Sequence, residues 1–308
     1  MKKNNDSIPI ILFAFGANLF IAIMKFIVFF ITRSSAMLAE AIHSVADTIN
    51  QILLIIGIAR GRKKPNIHHP FGYSGEMYFW SFVVSIILFT VGSMFSIYEG
   101  IKKLHHPEEV HNLKFAFMVL IFALLAEGLA FFKALMKVKK EKGKLGFIAY
   151  LRASKKSEII VVFLEDLAAL CGLMSALILL TIQAITHNPI YDAIASIVIG
   201  IILAIVAIFL GNEIKSLLIG ESARPEITQK VSDIVNGNDG VNRVIYIKTL
   251  QLGPEDILAA IKAEFDFRLN SVEISNLING IEQEIRTVMP DIKKIFIEPD
   301  IFKEEEQA

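Results

Sequence analysis

The 308-residue chain has one cysteine, one tryptophan and no histidine after His187. The lone Cys171 excludes an intrachain disulfide and a zinc cluster built from several cysteines of one chain. From Glu221 onward, 10 Lys and Arg stand against 17 Asp and Glu. Nucleic-acid-binding surfaces are basic, so this acidic end does not fit such a partner. No kinase, HExxH or DNA-binding pattern occurs, so the sequence shows no signalling output. We expect neither an enzyme nor a nucleic-acid-binding protein.

Apolar residues, in contrast, are abundant: they make up 54% of the chain, and the mean hydropathy is +0.56. Six segments reach the roughly 20 residues that are needed to cross a bilayer. They are approximately Pro9–Ile31, Ser34–Ile58, Met77–Ile97, Phe115–Leu135, Ile159–Ile182 and Ile190–Leu210. The first follows a basic start, as a signal peptide does, but no A-x-A-like cleavage site follows it, and we interpret it as a retained span. The sequence predicts a multi-pass protein of a lipid bilayer.

Basic residues cluster in alternate connections between these spans. Residues 60–64 follow the second span and residues 133–156 surround the end of the fourth, and both stretches are rich in Lys and Arg. The N-terminus is also basic. By the positive-inside rule, we expect both termini in the cytoplasm, with the plasma (inner) membrane as the location if the protein is bacterial.

The second span carries Glu40, His43 and Asp47 inside an otherwise apolar run. Their spacing of three and four residues places them on one helical face, and Asn50 continues that face by one turn. A charged side chain at membrane depth costs about 2.5–3.5 kcal/mol, so the polar face should contact protein or water. His43 and Asp47 could share one divalent cation. The alternative is a buried polar network that only packs helices.

Depth within the membrane links this face to the fifth span. A helix rises about 1.5 Å per residue, which places His43 about 13–14 Å from one surface and Asp166 about 12 Å from the other. Both lie near the midplane, and Glu165 is next to Asp166. Two neighbouring carboxylates at that depth require a cation or protons. A four-ligand metal site made of His43, Asp47, Asp166 and one more group is geometrically reasonable.

Other ionisable residues lie within or at the ends of the spans. Lys25 and Glu40 have equal computed depths, about 10 Å from the outer surface, and a structural ion pair is favoured over contact with a substrate. Glu127 in the fourth span could relay protons, or it could bind Lys133 or a backbone group. Asp192, where the sixth span begins, is interpreted as a helix-start residue.

The C-terminal part shows shorter elements with alternating polarity. The predicted order is helix Pro225–Asn236, strand Val241–Leu252, strand Ile257–Phe267, helix Ser271–Val288 and strand Ile292–Ile297. The predicted fold class is a membrane all-α domain of six transmembrane helices in residues 1–218. An α+β cytoplasmic domain, ferredoxin-like with the order αββαβ, follows in residues 219–308.

Three motifs carry a family resemblance that covers nearly the whole chain. They are A-N-L-F-x-x-x-x-K-F at 17–26, A-M-L-A-E-A-I-H-S-V-A-D-T-I-N-Q at 36–51 and H-P-F-G-Y at 69–73. The chain resembles the cation diffusion facilitator family of zinc and manganese transporters. The resemblance implies a homodimer in which each protomer exports a divalent cation against inward proton flow and needs no cofactor. It also implies a tetrahedral site in which His43, Asp47 and Asp166 occupy three ligand positions.

The fourth ligand position departs from the common family pattern. Val162 stands where many members carry His, and its side chain cannot bind metal. The adjacent carboxylates resemble the Glu-Asp variant of a zinc-transporter subgroup, so Glu165, water or Asn50 could be the ligand. Glu40 and Glu127 are candidate accessory polar residues.

A second family site would lie on the loop after the second span, where His68 and His69 are the candidate ligands. Taken together, the sequence predicts Zn²⁺/H⁺ antiport out of the cytoplasm. Export of Mn²⁺, Co²⁺ or Fe²⁺ is the alternative within the family. A membrane metal sensor that binds without transport is the alternative of another class.

Overall fold

A computed structural model of the protein describes residues 7–143 and 146–302, without the side chains of residues 7–15, 17 and 152. Lys144 of the predicted basic loop lies outside the described residues. The chain divides into two compact units. One holds the residues up to Ile58 together with Phe79–Ile214, and the other holds Ala59–Tyr78 and the chain from Lys215 onward.

Helices account for the apolar segments, because a helix satisfies every backbone polar group within its own segment where no water is present. In chain order they are α1 (Ser7–Thr32), α2 (Ser35–Gly61), α3 (Glu76–Ile87), a π-helical segment (Leu88–Met94), α4 (Phe95–His105), α5 (Leu113–Lys142), α6 (Phe147–Ala153), α7 (Ser157–Thr186) and α8 (Ile190–Ile219). The short α6 was not predicted, since its seven residues lie in a stretch that the sequence marks only as basic.

Within the described ranges, five helical runs are long and apolar enough to cross a membrane: α2, the continuous run Glu76–His105, α5, α7 and α8. The described side chains of α1 add a shorter apolar helix, Asn18–Thr32. These runs confirm the predicted all-α membrane fold class. The third run continues to His105, beyond the predicted end at Ile97, because a π-helical segment joins α3 to α4 without interrupting the helix.

Glycines allow the helical run Glu76–His105 and α8 to approach closely. A Cβ atom added to Gly100 would lie 2.8 Å from the backbone oxygen of Ala193, and one added to Gly200 would lie 2.8 Å from that of Ser93. Small residues at a membrane helix interface permit this backbone-to-backbone packing. The two helices therefore form a tightly packed pair along which neither glycine can carry a side chain without a shift.

In the same unit, α5 packs along α7 and α1 packs along α5. The ring of Phe163 on α7 lies 5.3 Å from that of Phe131 on α5 and 5.1 Å from that of Phe147 on α6. These aromatic contacts place α6 against α7.

The second unit contains α9 (Pro225–Asn236), β1 (Val241–Gly253), β2 (Asp256–Phe265), α10 (Ser271–Val288) and β3 (Ile292–Pro299). The sheet has the order β1-β2-β3, with β2 antiparallel to β1 and parallel to β3. Alternate β2 residues are buried because one face of the strand packs on the helices: Ile257, Ala259, Ile261, Ala263 and Phe265. The predicted α+β domain is confirmed.

The segment between α2 and α3 belongs to the same unit as this sheet. Ser74 Oγ donates to Asp256 Oδ2 at 2.7 Å, and Lys294 Nζ donates to the same oxygen at 2.6 Å. The Phe71 ring meets the edge of the Phe296 ring, with the centroids 6.4 Å apart. Side chains of the loop are thus held by β2 and β3.

Candidate metal centre

The polar residues of α2 lie on the buried side of an otherwise apolar helix. Glu40 and Asn50 are fully buried, His43 is 1% exposed, and the Asp47 side chain is 20% exposed. Residues at this spacing share a face, and the face is buried because it packs against other helices of the same unit. The predicted polar face is therefore present in the structure.

His43 and Asp47 form the first close pair on this face. His43 Nδ1 lies 3.5 Å from Asp47 Oδ1, one helical turn apart. Within the described part of the chain, both imidazole nitrogens and Asp47 Oδ1 have no hydrogen-bond partner. Buried polar atoms without a partner are costly. A cation would give ligand atoms of this kind a partner.

Asn50 and Glu165 form a second pair, which joins α2 to α7. Asn50 Nδ2 donates to Glu165 Oε1 at 2.5 Å, and Glu165 is 6% exposed. The sequence did not predict this contact, although it named both residues as candidates for the fourth ligand. Asn50 Oδ1 has no partner among the described residues, so it keeps one free acceptor.

Asp166, next to Glu165, is half-buried on α7. The carboxyl group of Asp47 lies within electrostatic range of those of Glu127, Glu165 and Asp166 and of the Lys25 ammonium group. The predicted ligands on α2 and α7 therefore lie within electrostatic range of one another.

The predicted ligands do not form a ready-made metal cage. Among residues 7–143 and 146–302, no three His, Cys, Asp or Glu side chains lie close enough together to hold a metal ion. The structure brings His43 to Asp47 and Asn50 to Glu165.

Lys25 on α1 is fully buried beside the same face of α2. Its ammonium nitrogen donates to Glu40 Oε2 at 2.9 Å, to Ser44 Oγ at 2.8 Å and to Glu127 Oε1 at 3.1 Å. The pairing with Glu40 has the geometry that the sequence predicted. Glu127 contacts Lys25 in place of the Lys133 or backbone partners that we considered. Ser44 was missed, although its position four residues after Glu40 on the same face was a signal.

Asp192 lies in the first turn of α8, as predicted, but its carboxylate also caps another helix. Asp192 Oδ2 accepts from Ser35 N at 2.7 Å and Oδ1 accepts from Ala36 N at 3.1 Å, at the start of α2. Lys103 Nζ on α4 donates to Oδ2 at 2.6 Å. A carboxylate at a helix N-terminus is favourable. This contact ties the end of α2 near His43 to α8 and α4.

The loop histidines are exposed. The ring of His69 stacks on that of Tyr73 with the centroids 4.3 Å apart, and Asn66 Nδ2 donates to the Tyr73 hydroxyl oxygen at 2.8 Å. His68 is exposed beside them. The described part of this loop contains no group of three metal-ligating side chains. The predicted loop site stays a prediction.

Comparison with known proteins relates this architecture to transporters. The chain is 31% identical over 289 residues to the protein named Proton-coupled zinc antiporter SLC30A9, mitochondrial, from Xenopus laevis, which covers 93% of this chain and 50% of the relative. It is 34% identical over 256 residues to Metal tolerance protein C4 from Arabidopsis thaliana, covering 82% and 56%. The chain thus spans about half the length of these curated relatives.

A third relative matches along nearly its full length. The Manganese efflux system protein MneP from Bacillus subtilis is 24% identical over 304 residues, which is 99% of each chain. The family profile described as Cation efflux transmembrane domain matches residues 11–219. Since that match covers more than half of the chain, the protein belongs to the cation efflux (cation diffusion facilitator) family of multi-pass membrane proteins.

Proposed function

We propose that this protein exports divalent cations from the cytoplasm in exchange for protons, with Zn²⁺ as the preferred ion. The observation that carries the proposal is the His43–Asp47 pair. One imidazole and one carboxylate stand one turn apart in a membrane-length helix, and their facing atoms lack hydrogen-bond partners within the described chain. Ionisable groups at membrane depth are expensive and mark ion pathways.

The metal preference follows from the donor atoms. Imidazole nitrogen suits Zn²⁺ and Co²⁺, whereas sites made only of oxygen suit harder ions such as Mn²⁺. In our proposal His43 and Asp47 bind the ion from α2, and Asp166 with Glu165 approaches from α7 to complete the shell. The name of the Xenopus relative, a proton-coupled zinc antiporter, supports both the ion and its exchange partner.

Proton exchange follows from the charges near the centre. Five carboxylates belong to Glu40, Asp47, Glu127, Glu165 and Asp166, and one ammonium belongs to Lys25. When the cation leaves, these groups must take up protons, because a cluster of uncompensated carboxylates is not stable away from water. Binding of the next cation would then release protons.

Manganese is the second candidate ion, because the Bacillus relative that aligns over 99% of both chains is named a manganese efflux system. The distribution of basic residues supports cytoplasmic termini, and the family resemblance supports a homodimer. We extend both to this chain as proposals.

A flux assay tests the proposal. Purified protein in liposomes with a pH gradient should move Zn²⁺ faster than Mn²⁺, Co²⁺ or Fe²⁺, and the metal flux should stop when the gradient is abolished. Metal binding without flux would contradict the proposal and would favour a membrane sensor.

A further inference from the structure

The ammonium group of Lys25 sits in a nest of oxygen atoms contributed by two other helices. Glu40 Oε2 and Ser44 Oγ come from α2, and Glu127 Oε1 comes from α5, all within 3.1 Å of Nζ. Lys25 and Glu40 are fully buried, and the Glu127 side chain is 18% exposed. We refer to Glu40, Ser44 and Glu127 as the oxygen nest.

The nest offers more negative charge and more acceptors than one ammonium uses. Counted as ionised, the two carboxylates leave one negative charge uncompensated by Lys25. Glu40 Oε1 and Glu127 Oε2 are buried and have no hydrogen-bond partner among the described residues. Carboxylate and hydroxyl oxygens are the ligands that hard divalent cations prefer. The donor set thus fits a doubly charged ion better than it fits the singly charged one that it holds.

The nest lies directly beside the candidate metal centre. Glu40 precedes His43 by three residues and Ser44 follows it, so the nest is about one helical turn along α2 from the centre. Glu40 Oε1 also lies against α7, since a Cβ atom added to Gly172 would be 2.8 Å from it. An ion that leaves His43 and Asp47 toward the N-terminal end of α2 would meet the nest next.

We propose that Lys25 is a tethered cation that fills a second metal site formed by Glu40, Ser44 and Glu127 and so keeps the transported ion from binding there. The inference rests on the proposed function, because it assumes that ions pass this point. An ion that bound at a second site beside the centre would have to dissociate twice before release, and this would slow transport. The lysine occupies the nest but is not itself transported, because it is covalently part of α1.

The test counts bound Mn²⁺ on the full chain. Mn²⁺ is the probe because the nest contains only oxygen ligands. Free Mn²⁺ is measured by electron paramagnetic resonance with wild type, Lys25→Ala and Lys25→Gln. We expect each neutral variant to bind one Mn²⁺ per chain more than wild type does. Equal numbers for folded variants and wild type would overturn the proposal.

Matched variants show where the added ion binds. Lys25→Arg keeps a tethered cation and should bind no additional Mn²⁺. Lys25→Ala combined with Glu127→Gln should lose the additional ion, because the nest then lacks one carboxylate. If Lys25→Ala or Lys25→Gln folds poorly, Mn²⁺ should raise its melting temperature toward that of wild type. Poor folding of both variants that Mn²⁺ does not improve would contradict the proposal.

His43→Ala separates this inference from the proposed function. If His43 is not a transport ligand but the oxygen nest can bind a metal ion, His43→Ala leaves Zn²⁺ binding unchanged while Lys25→Ala still binds an additional Mn²⁺. If His43 is a transport ligand but the oxygen nest cannot bind a metal ion, His43→Ala lowers Zn²⁺ binding while Lys25→Ala binds no additional Mn²⁺.

Discussion

Asn50 on α2 donates a 2.5 Å hydrogen bond to Glu165 on α7. This bond lies about one turn from Asp47 and links the helix that carries His43 and Asp47 to the helix that carries Asp166. The Asn50 side-chain amide orients the Glu165 carboxylate, which would otherwise be free to rotate. We therefore propose that Glu165 is the fourth ligand and that Asn50 positions it.

Glu165→Ala should therefore lower Zn²⁺ affinity more than Asn50→Ala does. Loss of a residue that orients a ligand typically costs about 10–100-fold in affinity, and loss of the ligand itself should cost more. Calorimetric titration of both variants with Zn²⁺ measures the difference. A larger loss of affinity for Asn50→Ala would indicate that Asn50 is the fourth ligand. Wild-type affinity in both variants would indicate that water is the fourth ligand.

The cap that Asp192 provides to α2 should be needed for stability. Asp192→Ala removes the acceptor of two α2 amides and leaves the Lys103 ammonium, whose side chain is 6% exposed, without its carboxylate. Breaking a buried ion pair in this way costs about 3–5 kcal/mol. We expect a clear fall in melting temperature in detergent. Asp239→Ala, at an exposed position, is the control and should cost less than about 0.5 kcal/mol. Equal effects would mean that the cap contributes nothing.

The Lys25–Glu40 contact should appear as an interaction energy. Lys25→Met and Glu40→Gln each leave a buried partner behind, so each single change should destabilise the protein more than the two changes do together. A double-mutant cycle, measured by unfolding with chelator present, should give a coupling of about 1–3 kcal/mol. Additive losses would show that the two side chains do not interact in the membrane.

Selectivity should depend on the nitrogen of His43. His43→Asp makes the donor set all-oxygen and should raise Mn²⁺ uptake relative to Zn²⁺ uptake. Val162→His, four residues before Asp166, should act in the opposite direction by adding a nitrogen ligand. The ratio of initial uptake rates in vesicles measures both effects. An unchanged ratio in both variants would show that another feature sets the preference.

The sequence predicted the parts of the centre that lie on one helix. Periodicity alone places Glu40, His43, Asp47 and Asn50 on one face of α2, because helical geometry is local. Contacts between helices were harder to predict. Equal depth suggested Lys25 with Glu40, but depth does not specify which helices are neighbours. The Lys25–Glu127 contact, 102 residues apart in the chain, therefore needed the structure.

The same limit applies to Asp192 and to the loop after α2. The sequence shows that Asp192 stands at the start of its own helix, α8. It does not show that the carboxylate accepts hydrogen bonds from the first amides of α2. The contact of Ser74 with Asp256 joins residues 182 positions apart, and no local pattern indicates it. In the C-terminal unit, strand alternation and helical periodicity gave the element order correctly, because both patterns follow from burial on one side.

Simultaneous measurement of Zn²⁺ and proton flux in proteoliposomes tests the proposed antiport most directly. Wild type should move protons opposite to Zn²⁺, and the proton movement should depend on Zn²⁺. Asp47→Asn and Asp166→Asn keep side-chain size but remove the charges that compensate the cation, so both should abolish the two fluxes together while folded protein stays in the membrane. Coupled fluxes at wild-type rates in either variant would contradict transport through this centre.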